Sequence, residues 1–180
     1  MLLLIAMILV KPDATKKKDV ELKAEYMISM EWPNKSRDDV DMLMKTPLKQ
    51  FVYYGNRDVQ SASLDRDDLG DVNDIMILED GTRVVIEENW ENITIRKSVE
   101  GEYVVNVLMY SKRDPGPTPV TVKIVQLNPY RLIFSTTVDL YSMQEEKTIL
   151  RFNIDSKGNV GERSTLPYSI TNKVQRRPRR

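Results

Sequence analysis

Cysteine and histidine are both absent from the 180 residues. Without cysteine there is no disulfide framework, no thiol nucleophile and no thiolate metal site. Without histidine the commonest general base, the Ser-His-Asp triad and the usual zinc ligand set are gone. Any catalysis would fall to carboxylates, lysine, tyrosine or serine. Glycine is scarce as well: the seven glycines are scattered, so no loop can cradle a phosphate.

Long apolar runs are also lacking. The longest, Leu2 to Val10, ends at Lys11-Pro12. As a helix it would span roughly 14 Å, against about 30 Å of hydrocarbon. It lacks the preceding basic residues and the small-residue cleavage site of a signal peptide. Three readings stand: part of a membrane anchor, a strand or helix buried in the core or against a partner, or an interfacial segment. Lys11, Lys16, Lys17 and Lys18 follow it in a polar stretch. The positive-inside rule would keep such lysines cytoplasmic, which runs against an exported domain.

What is present is a globular composition, 41% hydrophobic and 30% charged, of a length that suits one domain. Lysine plus arginine (27) equals aspartate plus glutamate (27), so net charge offers no argument for nucleic acid. Locally the acid gathers in the middle and the base at the two ends. From Leu22 to Trp32 apolar residues alternate strictly, with Leu22, Ala24, Tyr26, Ile28, Met30 and Trp32 on one face. A period of two over that length predicts a half-buried strand. Further strands are predicted at Val40–Met44, Phe51–Tyr54, Asp74–Leu78, Arg83–Ile86, Asn92–Lys97, Tyr103–Tyr110, Val120–Leu127, Arg131–Leu140 and Lys147–Ile154. Turn signals such as Glu79-Asp80-Gly81, Asp114-Pro115-Gly116-Pro117 and Asn128-Pro129 separate them. Short strands at this spacing predict an all-β chain, an antiparallel β-sandwich of jelly-roll or Ig-like type. The organisation is an apolar segment and linker over 1–21, a sandwich over 22–162 and a basic tail over 163–180.

Aspartate is concentrated between Asp38 and Asp74. Asp39 and Asp41, two apart on a strand, point to one side. Asp65, Asp67, Asp68 and Asp71 lie in what reads as a loop with Gly70 inside it. A hard cation such as calcium takes six to eight oxygens, mostly from carboxylates and carbonyls. The spacing is not that of an EF-hand, which would need a glutamate at its twelfth position and flanking helices. Two other readings stay open. Aspartate and asparagine are turn formers in their own right, and paired carboxylates serve glycoside hydrolysis.

The run Arg37 to Met44, then Tyr53-Tyr54-Gly55-Asn56-Arg57, Leu64-Asp65-Arg66-Asp67-Asp68 and Glu100-Gly101-Glu102-Tyr103, resembles the Asp-rich β-sandwich domains of bacterial and phage envelope proteins. The style is that of pre-peptidase C-terminal domains. Two elements depart from the pattern: Glu100 stands where proline is usual, and a turn glycine is replaced in Pro47-Leu48-Lys49. The resemblance covers Leu22 to Ile154. It implies a non-catalytic module that binds calcium, glycans or protein, with Asp39, Asp41, Asp65, Asp67 and Asp68 as the calcium ligands.

Taken together, the sequence points to a non-enzymatic binding or structural module of a membrane-associated envelope assembly, anchored at the inner membrane with its domain in the periplasm. A structural subunit of a phage or other large assembly, virion-borne or cytoplasmic, is the alternative reading, and a carboxylate glycosidase the last. Expected partners are other proteins or further copies of the chain, a membrane at residues 2–10, and an anionic partner for the Arg176–Arg180 tail. Trp32, Trp90, Tyr53, Tyr54, Tyr103 and Tyr110 suit either a core or a sugar-stacking platform. The loop at Lys112-Arg113-Asp114 suits a partner contact.

Overall fold

The computed structural model describes residues 24–72 and 74–175. The expectations for Leu2–Val10, for the lysines after it and for the Arg176–Arg180 tail lie outside the described residues. Within them the chain is all-β, as its alternation predicts. Thirteen strands and one short helix follow in order. Six strands form one antiparallel sheet, in the order β11(Tyr130–Leu140), β10(Thr118–Leu127), β1(Tyr26–Trp32), β8(Asn89–Ile95), β5(Ala62–Arg66), β4(Asp58–Val59). Five form a second, in the order β13(Val160–Ser164), β12(Glu146–Ile154), β9(Gly101–Ser111), β2(Asp39–Lys45), β3(Phe51–Val52). A separate hairpin pairs β6(Ile75–Ile77) with β7(Arg83–Val85).

The two large sheets share one core. Tyr26, Ile28, Met30 and Trp32 of β1 meet Val40, Met42 and Met44 of β2 and Val105, Val107 and Met109 of β9 in it. Tyr103 and Phe152 stack in the same core, ring centroids 5.4 Å apart. Each such side chain removed from water contributes about 1.5–3 kcal/mol before entropy is set against it. The unbroken burial of Tyr103–Met109 has a separate cause. Its outer face is roofed by the chain after β13, where Ile170 packs with Leu43, Phe51, Val104 and Leu108. Asn106 Nδ2 and Thr148 Oγ1 both donate to the carbonyl of Tyr168. Glu146 accepts from the Ile170 N–H and from the Ser169 and Thr171 hydroxyls. The described fold therefore runs on past residue 162, through β13 and on into α1(Thr171–Gln175). Periodicity could not show this, because the roof rests on one fully buried apolar residue, Ile170, with Tyr168 and Val174 partly buried beside it and no alternation along the stretch.

Asp38 ties the start of β2 to the β9–β10 connection. Its side chain has no exposure. Oδ1 accepts the N–H groups of Arg113 and Asp114 at 2.6 and 2.8 Å. Oδ2 accepts the Lys112 ammonium at 2.7 Å and the Thr118 hydroxyl. Its own carbonyl takes the Trp32 indole N–H at 3.0 Å. The Lys112 ammonium and the backbone of Arg113 and Asp114 are thus turned upon Asp38, while the Arg113 guanidinium pairs with Asp71 and the Asp114 carboxylate with Arg37. Burial pushes this carboxyl up, but Lys112, Thr118 and the two N–H groups outweigh it and hold it down at about 2.

A carboxyl depressed in the folded state stabilises the fold above its unfolded pKa, near 4, and that contribution fades as pH falls through about 2. Asp38→Asn leaves the Lys112 ammonium buried with a weaker partner, and should cost about 3–5 kcal/mol in urea unfolding at neutral pH. The gap to the parent should stay level down to about pH 4 and narrow below it.

Candidate metal centre

β2 pairs with β9 along its length, but β3 covers only Met44 and Lys45 on its other edge. At Asp39–Leu43 that edge carries no strand. The gap is filled from the other sheet. Glu91 lies on β8 in register with Asn89, Ile93 and Ile95, all facing inward, so its carboxylate enters the sandwich. Oε2 accepts the Met42 N–H at 2.8 Å. Oε1 accepts the Asp68 N–H at 3.2 Å. One carboxylate thereby satisfies an open strand edge and holds the loop that follows β5.

That loop is fixed by close packing. Gly70 sits at φ +68°, and a Cβ there would stand 2.7 Å from the Asp38 carbonyl oxygen. Asp68 is wholly buried. Its oxygens accept the Gly70 N–H at 3.1 Å, the Trp90 N–H at 3.3 Å and the Arg66 guanidinium at 2.8 Å.

These contacts carry Asp67 to the open edge of β2. Asp41, Asp67 and Glu91 each present a carboxylate oxygen there, all within 4.8 Å of one another. Oxygens bound at about 2.4 Å to one ion stand at most about 4.8 Å apart, so the spacing meets the condition that a shared cation sets. Asp41 is 3% exposed and Glu91 0%. Asp41 Oδ2 is buried without a hydrogen-bond partner, and so is Asp39 Oδ1 beside it. Arg57 approaches Asp67 at 3.8 Å. A buried carboxylate oxygen with no donor is costly unless a proton or a cation meets it.

The electrostatics agree with the geometry. Burial, then Asp39 and Asp67, push the Asp41 carboxyl up to about 8. Burial, then Asp67, push Asp39 up to about 6. Glu91 is raised well above the carboxylate range by burial and then by Asp41, against the pull of the Met42 and Asp68 N–H groups. The field reaches Tyr54, whose phenol is raised by burial and then by Asp41. Such a cluster either shares protons or binds a cation that displaces them.

Of the five aspartates expected as ligands, the structure brings Asp41 and Asp67 together, with Asp39 adjoining them. Asp68 is occupied in shaping the loop. Asp65 lies on an exposed face of β5, where it accepts from Ser63 at 2.6 Å, Asn92 at 2.9 Å and Thr94. β5 itself reads as loop in the sequence, because only Ala62 and Leu64 mark its buried face. Glu91 escapes the sequence reading, although a signal for it exists: it is the one acid in register with the apolar Ile93 and Ile95. The aromatics divide. Trp32 and Tyr103 are core, whereas Tyr54, Tyr110 and Trp90 are exposed. Tyr54 and Tyr110 meet edge-on at 5.4 Å, and the Arg66 guanidinium lies 4.4 Å from the Trp90 ring centre.

Neither family models, nor curated proteins, nor solved structures give a match to this chain.

In chelator the sign of the pH dependence follows from the raised carboxyls. Unfolded aspartates ionise near pH 4, whereas Asp39 and Asp41 keep protons to about 6 and 8 in the fold. The folded state binds the extra protons, so the contribution of these two carboxyls to stability is fullest below about pH 4 and is lost as pH rises through about 8. Melting in chelator should drop in temperature between pH 5 and pH 8, and Asp41→Asn should flatten that slope. Gly70→Ala should lower stability by more than 1 kcal/mol, since Ala is strained at this φ and meets backbone oxygen.

Proposed function

We propose that the chain is a non-catalytic β-sandwich module that closes the open edge of β2 with a calcium ion held by Asp41, Asp67 and Glu91. The observation that carries this reading is Asp41 Oδ2, buried beside two further carboxylates with no donor to meet it. The donor set is all oxygen, as a hard cation requires, and contains no nitrogen or sulfur for zinc or copper. Calcium fits better than magnesium, because buried carboxylates can supply several ligands to it directly, whereas magnesium keeps most of its waters. The burial of Asp41 and Glu91 leaves an ion as the natural guest and no approach for a glycan, which argues against a glycosidase. A role in an envelope assembly rests on the sequence resemblance and on the apolar residues 2–10. Among the described residues no helix is long and apolar enough to cross a membrane.

The reading is tested by calorimetric melting and titration. Calcium at 100 times its dissociation constant stabilises a folded state by about 2.7 kcal/mol, which for a chain of this size raises Tm by roughly 5–10 °C. Asp41→Asn and Glu91→Gln should abolish the rise, and Asp65→Asn should leave it intact. Identical melting curves in calcium and in chelator would remove the proposal.

A further inference from the structure

The β6–β7 hairpin stands apart from the sandwich core. Its strands pair with each other and with no other strand. Ile75 lies opposite Val85, Met76 opposite Val84 and Ile77 opposite Arg83. Ile75, Met76, Ile77, Leu78, Val84 and Val85 are all between 40% and 64% exposed. Both faces of this two-stranded ribbon are therefore apolar and wet. An isolated hairpin is marginal in water, and a patch of this kind on a monomer marks an interaction site. Its outer edges also lack the lysines and prolines with which proteins usually blunt an open strand.

We propose that the hairpin joins two copies of this chain, through antiparallel pairing of their β7 strands about a two-fold axis at Val84. Charge selects β7 over β6. β6 is bounded by acids at both ends, Asp74 and Glu79, so two β6 strands would bring only like charges together. β7 carries Arg83 and, beyond it, Glu87. Pairing about Val84 sets Arg83 of one copy opposite Val85 of the second copy and diagonal both to the second copy's Glu87 and to its Arg83, so two Arg–Glu diagonals stand against one Arg–Arg diagonal. Diagonal neighbours lie about 7–8 Å apart at Cα, within reach of long side chains. Arg83 makes no ion pair with the described residues of its own chain. The Glu87 side chain is half-exposed and pairs with the exposed Lys35 ammonium at 3.0 Å.

The same strand supplies the limits of the contact. The Lys35 N–H donates to the Glu87 carbonyl at 2.9 Å, so the free edge ends there. The shared ladder is short, which fits a reversible dimer of low affinity rather than an obligate one. The acids around the hairpin, Asp74, Glu79, Asp80, Glu87 and Glu88, disfavour an anionic lipid surface as the occupant.

The absence of cysteine makes the test direct. Residues facing each other across a two-fold axis in an antiparallel pair lie about 4.5–5.5 Å apart at Cα, within the range a disulfide needs. Mild oxidation of full-length Val84→Cys should give a covalent dimer, while Tyr141→Cys, on an exposed site elsewhere, should stay monomeric. By sedimentation at roughly 10–100 μM the parent should dimerise reversibly. Arg83→Glu should weaken that dimer at least tenfold with its melting curve unchanged, and Arg83→Glu with Glu87→Arg should restore it. A folded Val84→Cys chain that does not cross-link would overturn the proposal. So would a dimer that survives Arg83→Glu but is lost on deletion of residues 1–23, or a hairpin that binds anionic vesicles and leaves the chain monomeric. None of these readouts depends on calcium, so each proposal can fail without the other.

Discussion

The Glu91 carboxylate is the joint on which the site and much of the fold depend. It belongs to β8 in the six-stranded sheet, yet it receives the Met42 N–H of the five-stranded sheet and the Asp68 N–H of the loop after β5. An unpaired strand edge in a sandwich normally needs a further strand, a bulge or a covering loop. Here the carboxyl side chain of Glu91 serves instead, and it does so from inside the sandwich. The consequence is electrostatic. A carboxylate fully removed from water must be met by donors, protons or a cation, and Asp41 and Asp67 are drawn to the same point. Coordination and fold closure are then one problem: whatever neutralises the cluster also fastens the two sheets together.

The same joint governs the hairpin. The chain leaves the site at Asp68, runs out through β6 and β7, and returns at Trp90 and Glu91. The Asp68 N–H to Glu91 contact and the Trp90 N–H to Asp68 contact close the two roots of this excursion. An apolar ribbon that cannot fold on its own is thus held out from the body by a polar clamp. A cation at Asp41, Asp67 and Glu91 would tighten the clamp without touching the ribbon.

Asp38, just before β2, and Asp41, within it, show how nearby aspartates take opposite roles. Asp38 is surrounded by an ammonium, a hydroxyl and two N–H groups, and is held ionised. Asp41, three residues on, meets carboxylates and is held protonated to about pH 8 unless a cation arrives. Both are buried. What separates them is the identity of the groups around them, which local sequence does not specify, since Lys112 and Thr118 lie more than seventy residues away.

The alternation of Tyr26 to Trp32, the apolar runs of β9, β10 and β12 and the turn signals between them determined the fold class and most strand positions by themselves. Period-two patterning encodes a buried face directly, residue by residue. The absence of histidine and cysteine likewise restricted the site to oxygen ligands before any contact was known. The aspartates at 39, 41 and 67 were visible as candidates, because density of acid is a local property. Which acids converge was decided only by the tertiary structure. Glu91 reaches the site through sheet pairing across fifty residues, Asp68 is diverted into shaping its loop, and Asp65 points away on a strand too short to leave a pattern. Coordination is a matter of three-dimensional distance, and a sequence states distance only along the chain.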